Sequence, residues 1–477
     1  MNRSRTSDAP RHFPLRTRRA HLAGLGGAAA LAVAYDRQGV AAAADGLGAD
    51  PAAINDWNAT AVAALADAAR PNPEAYMWLA FAHAAMYNAV AGITGRYALY
   101  KWAERGPATA SPEAAAAAAA NRVLLTCFGS VPAARARVAD AYAAALGRVP
   151  GGAAKEQGVV YGERAADRIL ALREGDGRFA ALPFTLAPAP GVWRPTPPAN
   201  APFLAPWLSR LRPWTLTADG GITNWEAYNA QPRAWGAARN PDGTMPSDPL
   251  GTDWIERFRA PAPPALGSAT YAAEFAEVKA LGAKASPART PAQTETALFI
   301  SAIAVAPLQA ALRDLAARRG LDISDRVRLF AAVTMSVADA GIVCWDCKYH
   351  YGLWRPITAI HQAAADGNPA TEADPAWEPL IVTPPYPDYS SGANSLAGSA
   401  TRALSRVLDS TRIDLYLTSP ATNTTRHYES ADALCQDTVD ARVWSGLHFR
   451  TADVVALAAG RQVADWVLDH YLQPLRT

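Results

Sequence analysis

Hydrophobic positions along this chain recur mostly at the three- and four-residue spacing of amphipathic helices, and almost no stretch alternates as a β-strand would. Pro71 and Pro73 divide the first helical run, and Pro132 divides the second. The pattern predicts helices in these ranges: 56–90 as two helices, 108–146 as two more, 156–173, 269–281, 290–320, 325–349 and 432–471. Ser324 is the expected cap of the helix that starts at Asp325. We therefore expect an all-α protein built from helical bundles.

The segment from Pro183 to Pro264 shows no periodicity and is crowded with proline, glycine and tryptophan. Its tryptophans, Trp193, Trp207 and Trp214, are too apolar for a solvated linker. We therefore expect a long ordered loop that wraps the surface and forms a wall of the opening to a functional site. The 477 residues suffice for two packed units. The predicted divisions are an export signal at 1–44, an N-terminal helical bundle at 45–182, a Pro/Trp-rich loop region at 183–268, and a C-terminal helical bundle at 269–477.

The first residues have the features of a targeting sequence. Basic residues lead to the pair Arg18-Arg19, an apolar stretch runs from Leu22 to Tyr35, and small residues from Ala41 to Ala44 offer a cleavage site. This order is typical of a twin-arginine export signal, which predicts a secreted or periplasmic protein. The alternative is an alanine-rich tail with accidental arginines. No later apolar run reaches the ~18 residues of a membrane span, so we expect none in the mature chain.

Composition narrows the classes of function. Hydrophobic residues make up 50% of the chain and charged residues 18%, which suits a packed core. The formal net charge is only +2, so nothing points to nucleic acid or to an acidic membrane surface. Two of the four cysteines, Cys344 and Cys347, form a lone CxxC within a helical pattern. Because no second CxxC occurs in the sequence, buried thiols or one incidental disulfide are favoured over a redox or metal site.

Two segments of the C-terminal part carry candidate anion-binding residues. Lys348 and Arg355 are seven positions apart, about two helical turns, so they are expected near one helix face that Pro356 bends or ends. Ser391 and Gly392 begin a helix of small residues, and the start of a helix offers backbone N–H groups to an anion. Taken singly, these pairs are also compatible with surface cations and an ordinary helix cap.

A third segment, ARVWSGLHFRTAD, contains Arg442 and His448, which are six positions apart and expected near one helix face. An arginine offers a two-pronged donor to an oxyanion. A histidine ring nitrogen can attack phosphorus or bind a metal centre. A lone histidine on a helix is more commonly structural, so this segment gains weight from its combination with the other two.

In order and spacing, the three segments resemble the signature KxxxxxxRP, PSGH and SRxxxxxHxxxD of vanadium-dependent haloperoxidases and type-2 phosphatidic acid phosphatases. Stretches such as DWNATAVAALADA and DAGIVCWDCKYHYGLWRPITAI look like the bacterial haloperoxidase branch. The resemblance implies two four-helix bundles, a bound vanadate cofactor and His448 as the axial ligand of vanadium. It implies that five residues hold the vanadate oxygens: Lys348, Arg355, Ser391, Gly392 and Arg442. Hydrogen peroxide and halide are the implied substrates, or a phosphate ester on the phosphatase branch.

Two positions depart from that signature. Ala393 stands where the family has the histidine of PSGH, its general acid and base, and the neighbouring Asn394 cannot exchange protons usefully near neutral pH. Ala452 stands where the family has an aspartate one turn after the histidine. Asp453 follows it, and one residue is ~100° around a helix, so we expect this carboxylate to point elsewhere.

Further residues offer weaker candidates. His350, His361 and His427 could replace the missing base, although structural or surface roles are favoured, and Asp339 could pair with a site cation or be an ordinary helix-face carboxylate. Three hypotheses follow. The leading one is an exported vanadate-dependent haloperoxidase-like enzyme with halide chemistry weakened by loss of the histidine. The alternatives are an acid phosphatase-like hydrolase that forms a phosphohistidine, and a catalytically silent protein that binds phosphate or vanadate.

Overall fold

A computed structural model describes residues 48–216 and 253–475 of the chain. All of these residues belong to one unit, 42–477. The predicted export signal at 1–44 lies outside the described residues, as does part of the Pro/Trp-rich loop region. The boundaries at residues 182 and 268, and the export signal itself, stay predictions.

Helices account for most of the described chain, which confirms the all-α prediction. In order they are α1 Ala52–Asp67, α2 Asn72–Thr94, α3 Pro112–Phe128, α4 Pro132–Arg148, α5 Ala153–Leu172, α6 Asp253–Phe258, α7 Ala269–Leu281, α8 Pro291–Ser301, α9 Val305–Arg318, α10 Ile323–Tyr351, α11 Pro356–His361, α12 Gly392–Leu408, α13 Ala431–Trp444 and α14 Arg450–His470. Two short 3-10 helices, Pro206–Arg210 and Ala363–Ala365, lie in the connections.

Local sequence sets several helix ends as predicted, but two ranges predicted as continuous were wrong: 290–320 is divided into α8 and α9, and 432–471 into α13 and α14. Ser111 caps α3 through its side chain, and Thr290 takes part in a capping box at the start of α8. One cap differs from the prediction. Helix α10 begins two residues earlier than expected, and Asp322, not Ser324, accepts a hydrogen bond from the backbone N–H of Asp325. Aspartate is at least as good an N-cap as serine, so the earlier of two capping residues prevails here.

Helix α10 lies at the centre of the fold and packs against α2, α12 and α14. Glycines allow α12 and α14 to cross closely. A Cβ added to Gly460 would lie 2.5 Å from the carbonyl oxygen of Ser395, and one added to Gly398 would collide with the carbonyl of Leu457. The close crossing brings together the N-terminal ends of the two helices, where several candidate site residues lie.

A two-stranded antiparallel hairpin was not predicted. It consists of β1 Arg412–Ser419 and β2 Thr424–Ser430. In β1 the alternate side chains of Ile413, Leu415 and Leu417 are buried. The stretch 412–419 therefore has the period-two pattern of a half-buried strand, and the expectation of helices alone was wrong for this segment.

The described part of the Pro/Trp-rich loop region is ordered against the helices. Trp193, Trp207 and Trp214 are all buried, in agreement with their expected role. The buried carboxylate of Asp339 on α10 accepts hydrogen bonds from the backbone N–H groups of Trp214 (2.7 Å) and Thr215 (2.8 Å). Asp339 therefore anchors this loop to the central helix, which is neither of the roles considered from sequence.

Within the described ranges, α10 is the one single helix whose length and apolar composition would suffice to cross a membrane. Its most apolar stretch is 89% buried inside the fold. Helices α8 and α9 meet the same criterion only when taken together, and they are bent by 85° relative to each other.

Candidate functional site

The C-terminal end of α10 and the segment that follows it place the first two candidate residues. Helix α10 ends at Tyr351, and Gly352 takes a left-handed conformation (φ 56°) while its N–H bonds to the carbonyl of Lys348 at 3.0 Å. Arg355 lies beyond this turn as the N-cap of α11. The prediction that Lys348 and Arg355 share one helix face was therefore wrong, because the glycine ends the helix between them. Both side chains are nevertheless fully buried in the same region.

Lys348 uses its ammonium group to hold the loop that precedes α12. Its Nζ donates hydrogen bonds to the carbonyls of Pro387 (2.8 Å), Asp388 (3.1 Å) and Ser390. Three acceptors satisfy the three donors of an ammonium group. Burial lowers the pKa of Lys348 to about 8. The lysine thus fixes the loop that ends at Ser391.

The two arginines have donors left over. Arg355 donates from Nε to the Tyr386 carbonyl at 2.7 Å and from Nη1 to the Leu447 carbonyl at 2.8 Å, yet its buried Nη2 has no partner in the described part of the chain. Arg442 bonds through Nη1 to Ser301 Oγ at 3.3 Å, while its buried Nε finds no acceptor among the residues described. Two buried cationic donors without acceptors are costly unless a further group binds them.

His448 lies in the turn between α13, which ends at Trp444, and α14. The prediction that Arg442 and His448 share a helix face was therefore wrong. The Nε2 atom of His448 lies 3.1 Å from Arg355 Nη1. Burial lowers the pKa of His448 far below its usual value, and the charges of Arg355, Lys348 and Arg442 lower it further. The ring is therefore neutral at physiological pH and keeps a lone pair on one nitrogen.

Asp388 is a site residue that the sequence prediction missed. Its Oδ1 lies 2.9 Å from His448 Nδ1 and 3.8 Å from Arg355 Nη1. Burial raises the pKa of this carboxyl to about 7, although the cations Arg355 and Lys348 oppose that shift. The signal in the sequence was an acidic residue three positions before Ser391 in a loop otherwise made of proline, tyrosine and serine.

Ser391 and Gly392 begin α12 as predicted, with Ser391 at the N-cap. The Ser391 N–H is already used, since it donates to the carbonyl of Ala452 at 3.0 Å. At Gly392 an added Cβ would meet only the ring of Trp345, at an ordinary 3.5 Å. No backbone therefore crowds this glycine, and Gly392 also lines the cavity from which a bound group could approach its backbone.

Asp453 does not point away from the site, so that expectation was wrong. Its fully buried carboxylate accepts a hydrogen bond from Asn394 Nδ2 at 2.7 Å, and the same amide nitrogen lies 3.3 Å from Ser391 Oγ. The hydrogen bond from the Ser391 N–H to the Ala452 carbonyl holds the first turn of α14 against the start of α12. The carboxylate therefore stays inside the site although it lies one residue later than in the family signature. Burial raises the pKa of Asp453 well above its usual value.

A cavity of about 260 Å³ opens beside these residues. Arg442, His448, Gly392 and Ala393 lie in its wall, and Trp345 and several aliphatic side chains form much of the remainder. The methyl group of Ala393 therefore stands at the site, where the family signature has its acid/base histidine.

The alternative histidines lie in other surroundings. His361 Nε2 is 2.8 Å from the Trp377 carbonyl, His427 pairs with Asp414 at 2.7 Å, and His350 packs edge-on against Tyr351. Structural roles, favoured from sequence for all three, agree with these contacts.

The cysteines of the CxxC are buried free thiols on α10, which agrees with the favoured prediction. Cys344 Sγ donates to the Ser390 carbonyl at 3.3 Å. In residues 48–216 and 253–475, no cluster of three or more His, Cys, Asp or Glu side chains has a metal-binding arrangement.

The donor set fits an oxyanion better than a bare cation. The groups that come together here are two guanidinium groups, a neutral imidazole and the N-terminal end of a helix. Two guanidinium nitrogens lack acceptors within the described ranges. An oxyanion such as vanadate or phosphate offers several negatively charged oxygens to such donors. His448 Nε2 would be the remaining candidate to contact its central atom.

Known proteins share part of this sequence and its fold. Residues 328–477 match the family model described as the VCPO second helical-bundle domain. A vanadium chloroperoxidase from Curvularia inaequalis is 25% identical over 174 residues, which are 27% of this chain and 28% of that protein. The chain thus spans well under a third of the length of this curated relative.

Solved structures extend the similarity to most of the chain. A bacterial vanadium-dependent iodoperoxidase superposes with a TM-score of 0.68 and 21% identity, over 90% of this chain and 98% of that one. The holo form of a bacterial vanadium-dependent chloroperoxidase gives a TM-score of 0.61 and 16% identity, over 83% and 91%. The fold is thus the helical fold of vanadium haloperoxidases. Within this fold, residues 328–477 match the family model of its second helical-bundle domain, and part of the chain is similar to the curated chloroperoxidase.

Proposed function

We propose that this protein binds vanadate and acts as a haloperoxidase-like enzyme that oxidises halide with hydrogen peroxide. The observation that carries the proposal is the pair of buried guanidinium donors, Arg355 Nη2 and Arg442 Nε, which have no partner among the described residues and flank a neutral His448. Relatives named as vanadium-dependent peroxidases share the fold.

Each proposed site residue would have a distinct task. Arg355 and Arg442 would hold oxygens of the anion, and the helix start at Ser391 and Gly392 would offer further donors. His448 would supply Nε2 to the central atom. Bound vanadate would supply the peroxide-activating, Lewis-acidic centre on which halide oxidation depends.

Contacts within the protein already position His448 and the loop before α12 in the absence of an anion. Asp388 Oδ1 lies 2.9 Å from Nδ1 of His448 and would favour a proton on that nitrogen. The lone pair would then be on Nε2, which lies 3.1 Å from Arg355 Nη1 in the anion-free protein. Lys348 holds the loop 387–390, from which both Asp388 and Ser391 are presented. Its positive charge adds to the field of the two arginines.

Proton transfer is the weak part of this site. Ala393 offers no exchangeable proton where the family signature has a histidine, and general acid–base catalysis typically contributes ~10²–10⁴ in rate. The proposed halide oxidation is therefore expected to be slow compared with that of an enzyme that has the histidine.

A phosphatase reaction is the second candidate, and Asp388 favours it. A phosphohistidine mechanism needs a carboxylate that orients the attacking imidazole, and Asp388, whose Oδ1 lies 2.9 Å from His448 Nδ1, is placed to serve as that carboxylate from another segment of the chain. The three cations would stabilise the transferring phosphoryl group.

One set of assays separates the possibilities. Purified protein is incubated with vanadate, hydrogen peroxide and bromide, and bromination of a phenolic dye is followed. Bromination by the wild type and its loss in His448→Ala would support the proposal. Bromination absent from the wild type but gained in Ala393→His would identify a silent anion-binding protein. Release of phosphate from p-nitrophenyl phosphate without vanadate would establish the phosphatase instead.

A further inference from the structure

A second, smaller cavity of about 50 Å³ adjoins the one at the candidate site. Its walls come from α8, α9, α12, α13 and strand β1. Four residues line both cavities: Ile300, Ile303, Ala393 and Leu396. The two spaces therefore share a wall, and this wall includes the position where the family signature has its acid/base histidine.

The lining of this second cavity is almost wholly apolar. Leucines from four elements face it, among them Leu312, Leu415 and Leu434. Its two hydroxyl groups are already used, because Thr401 donates to the Ala397 carbonyl and Thr438 to the Leu434 carbonyl, each at 2.7 Å. A ligand in this space would thus meet carbon atoms and no unsatisfied polar group.

Small side chains create the space. Ala393, Ala397 and Ala400 follow one another on the face of α12 that lines the cavity. A histidine at position 393 would add a ring to the shared wall, whereas the methyl group of alanine keeps this wall thin. The residue that lacks a proton donor therefore also separates the anion site from the apolar compartment by a small side chain only.

We propose that this compartment is a binding subsite for the hydrocarbon part of an organic substrate, held within reach of the oxyanion bound at Arg442 and His448. The inference rests on the proposed function only in requiring that an oxyanion binds there. On the haloperoxidase proposal the subsite holds an apolar acceptor of the oxidised halogen. On the phosphatase proposal it holds the alkyl group of a phosphate ester. The shared chemistry is an unbranched apolar chain of a few carbons, since a cavity needs only ~10–15 Å³ for one water on the same scale.

The test uses inorganic phosphate and a series of n-alkylphosphonates from methyl to octyl, with binding measured by isothermal titration calorimetry on the full chain. Each buried methylene is expected to tighten binding by about fourfold. The affinity should rise over the first few carbons and then level off when the chain fills the compartment.

Two variants change the compartment in opposite directions. Ala400→Leu fills it and should flatten the series, whereas Leu415→Ala enlarges it and should let the affinity rise for two or three carbons more. Both should bind inorganic phosphate as the wild type does. Leu468→Ala, a buried leucine outside the compartment, is the matched control and should leave the series unchanged.

The outcomes are distinguishable. If inorganic phosphate binds but affinity does not depend on chain length, or if both variants leave the series unchanged, the compartment is an empty apolar void and the inference is overturned alone. If inorganic phosphate and vanadate both fail to bind the wild type, the proposed function and the subsite fall together. If the alkyl series does bind as expected, two assays identify the source of the hydrocarbon group. Preferred bromination of an apolar alkene over a charged one would indicate a halogen acceptor, and hydrolysis of alkyl phosphates would indicate a phosphate ester.

Discussion

Asp388 Oδ1 lies 2.9 Å from Nδ1 of His448, and the two residues are 60 positions apart in the sequence. The contact gives the proposed ligand histidine a carboxylate partner from the loop before α12. In the family signature that partner would come from the helix after the histidine, at the place of Ala452. On the proposed function, Asp388 would orient His448 in place of the residue that the pattern predicts and that this chain lacks.

Asp388→Asn should weaken vanadate binding by ~10–100-fold, the usual effect of removing a partner that orients a metal-binding histidine. The amide can present its N–H to Nδ1 and so favours the tautomer with the proton on Nε2. Calorimetric titration with vanadate measures the change. Asp366→Asn, which removes another buried loop carboxylate away from the site, is the control. Equal affinities for all three proteins would contradict the proposed role of Asp388.

Arg442→Gln should weaken the binding of vanadate while leaving the stability of the anion-free protein almost unchanged. The substitution removes a buried cation that has an unpaired Nε within the described structure, so the anion-free protein should lose little or no stability. The stabilisation by added vanadate should shrink, because a ligand at 100 times its Kd stabilises by about 2.7 kcal/mol and a weaker ligand by less. Thermal denaturation with and without vanadate measures both effects.

Arg450→Gln provides the opposite pattern as a control. Arg450 pairs with Glu277 and Asp440 at 2.6 and 2.7 Å outside the candidate site. Its loss should lower the melting temperature slightly and leave the vanadate-induced shift intact. A vanadate shift that persists in Arg442→Gln but disappears in Arg450→Gln would reject the assignment.

Anion binding should fall as pH rises through about 8, because burial lowers the pKa of Lys348 to that value and the neutral amine no longer attracts the anion. Since the pKa in the folded protein lies below that of an unfolded lysine, the unfolded chain binds more protons between these values. The stability contributed by this group therefore rises with pH above 8 and is lost as pH falls.

Sulfate is a suitable probe for this prediction because its charge is constant over the pH range. The affinity of the wild type should decline between pH 7 and 9, whereas Lys348→Met should bind sulfate weakly with a flat profile. A decline of equal size in Lys348→Met would show that another group titrates.

Gly398→Ala should destabilise the fold by about 1–3 kcal/mol, the typical effect of an inserted methyl group in a tight contact. Its added Cβ would strike the carbonyl of Leu457 where α12 and α14 cross. Urea denaturation measures the change. Gly147→Ala is the matched control, since an added Cβ there meets no atom within 4 Å, and alanine should stabilise that helix slightly. Equal unfolding free energies for the two variants would show that the crossing can relax.

The sequence allowed prediction of the helices and of which residues gather, but not of their geometry. The structure does bring together the four residues Lys348, Arg355, Arg442 and His448. The spacing of a motif can identify residues that meet in the fold without specifying the helices and turns that connect them. Their supposed shared helix faces were wrong, since Gly352 ends α10 between Lys348 and Arg355, and α13 ends at Trp444 before His448 is reached. The sequence does contain a glycine, Gly352, that could end the helix. The prediction instead relied on the seven-residue spacing of Lys348 and Arg355, which is typical of one helix face.

Long-range pairings escaped prediction for a physical reason. The contact between Asp388 and His448 depends on the close crossing of α12 and α14, which no local propensity encodes. The inward turn of Asp453 has the same origin, as Ser391 and Ala452 are joined by a backbone hydrogen bond between distant segments. The hairpin at 412–430 was missed although β1 alternates, because a single short alternation among many helical runs carries little weight.

The walls of the larger cavity come from both halves of the chain, whereas every proposed chemical group comes from the second half. Asn72, Tyr76 and Met77 at the start of α2, together with Leu208 of the Pro/Trp-rich loop region, face the same space as Arg442 and His448. On the proposed function, selection among organic substrates could therefore diverge by changes at a few positions before residue 210 without disturbing the proposed anion site. The residues that would select an organic substrate thus lie on different segments from the residues that would carry out the reaction. Substrate preference could be changed by mutation in the first half of the chain while the proposed chemical groups are kept.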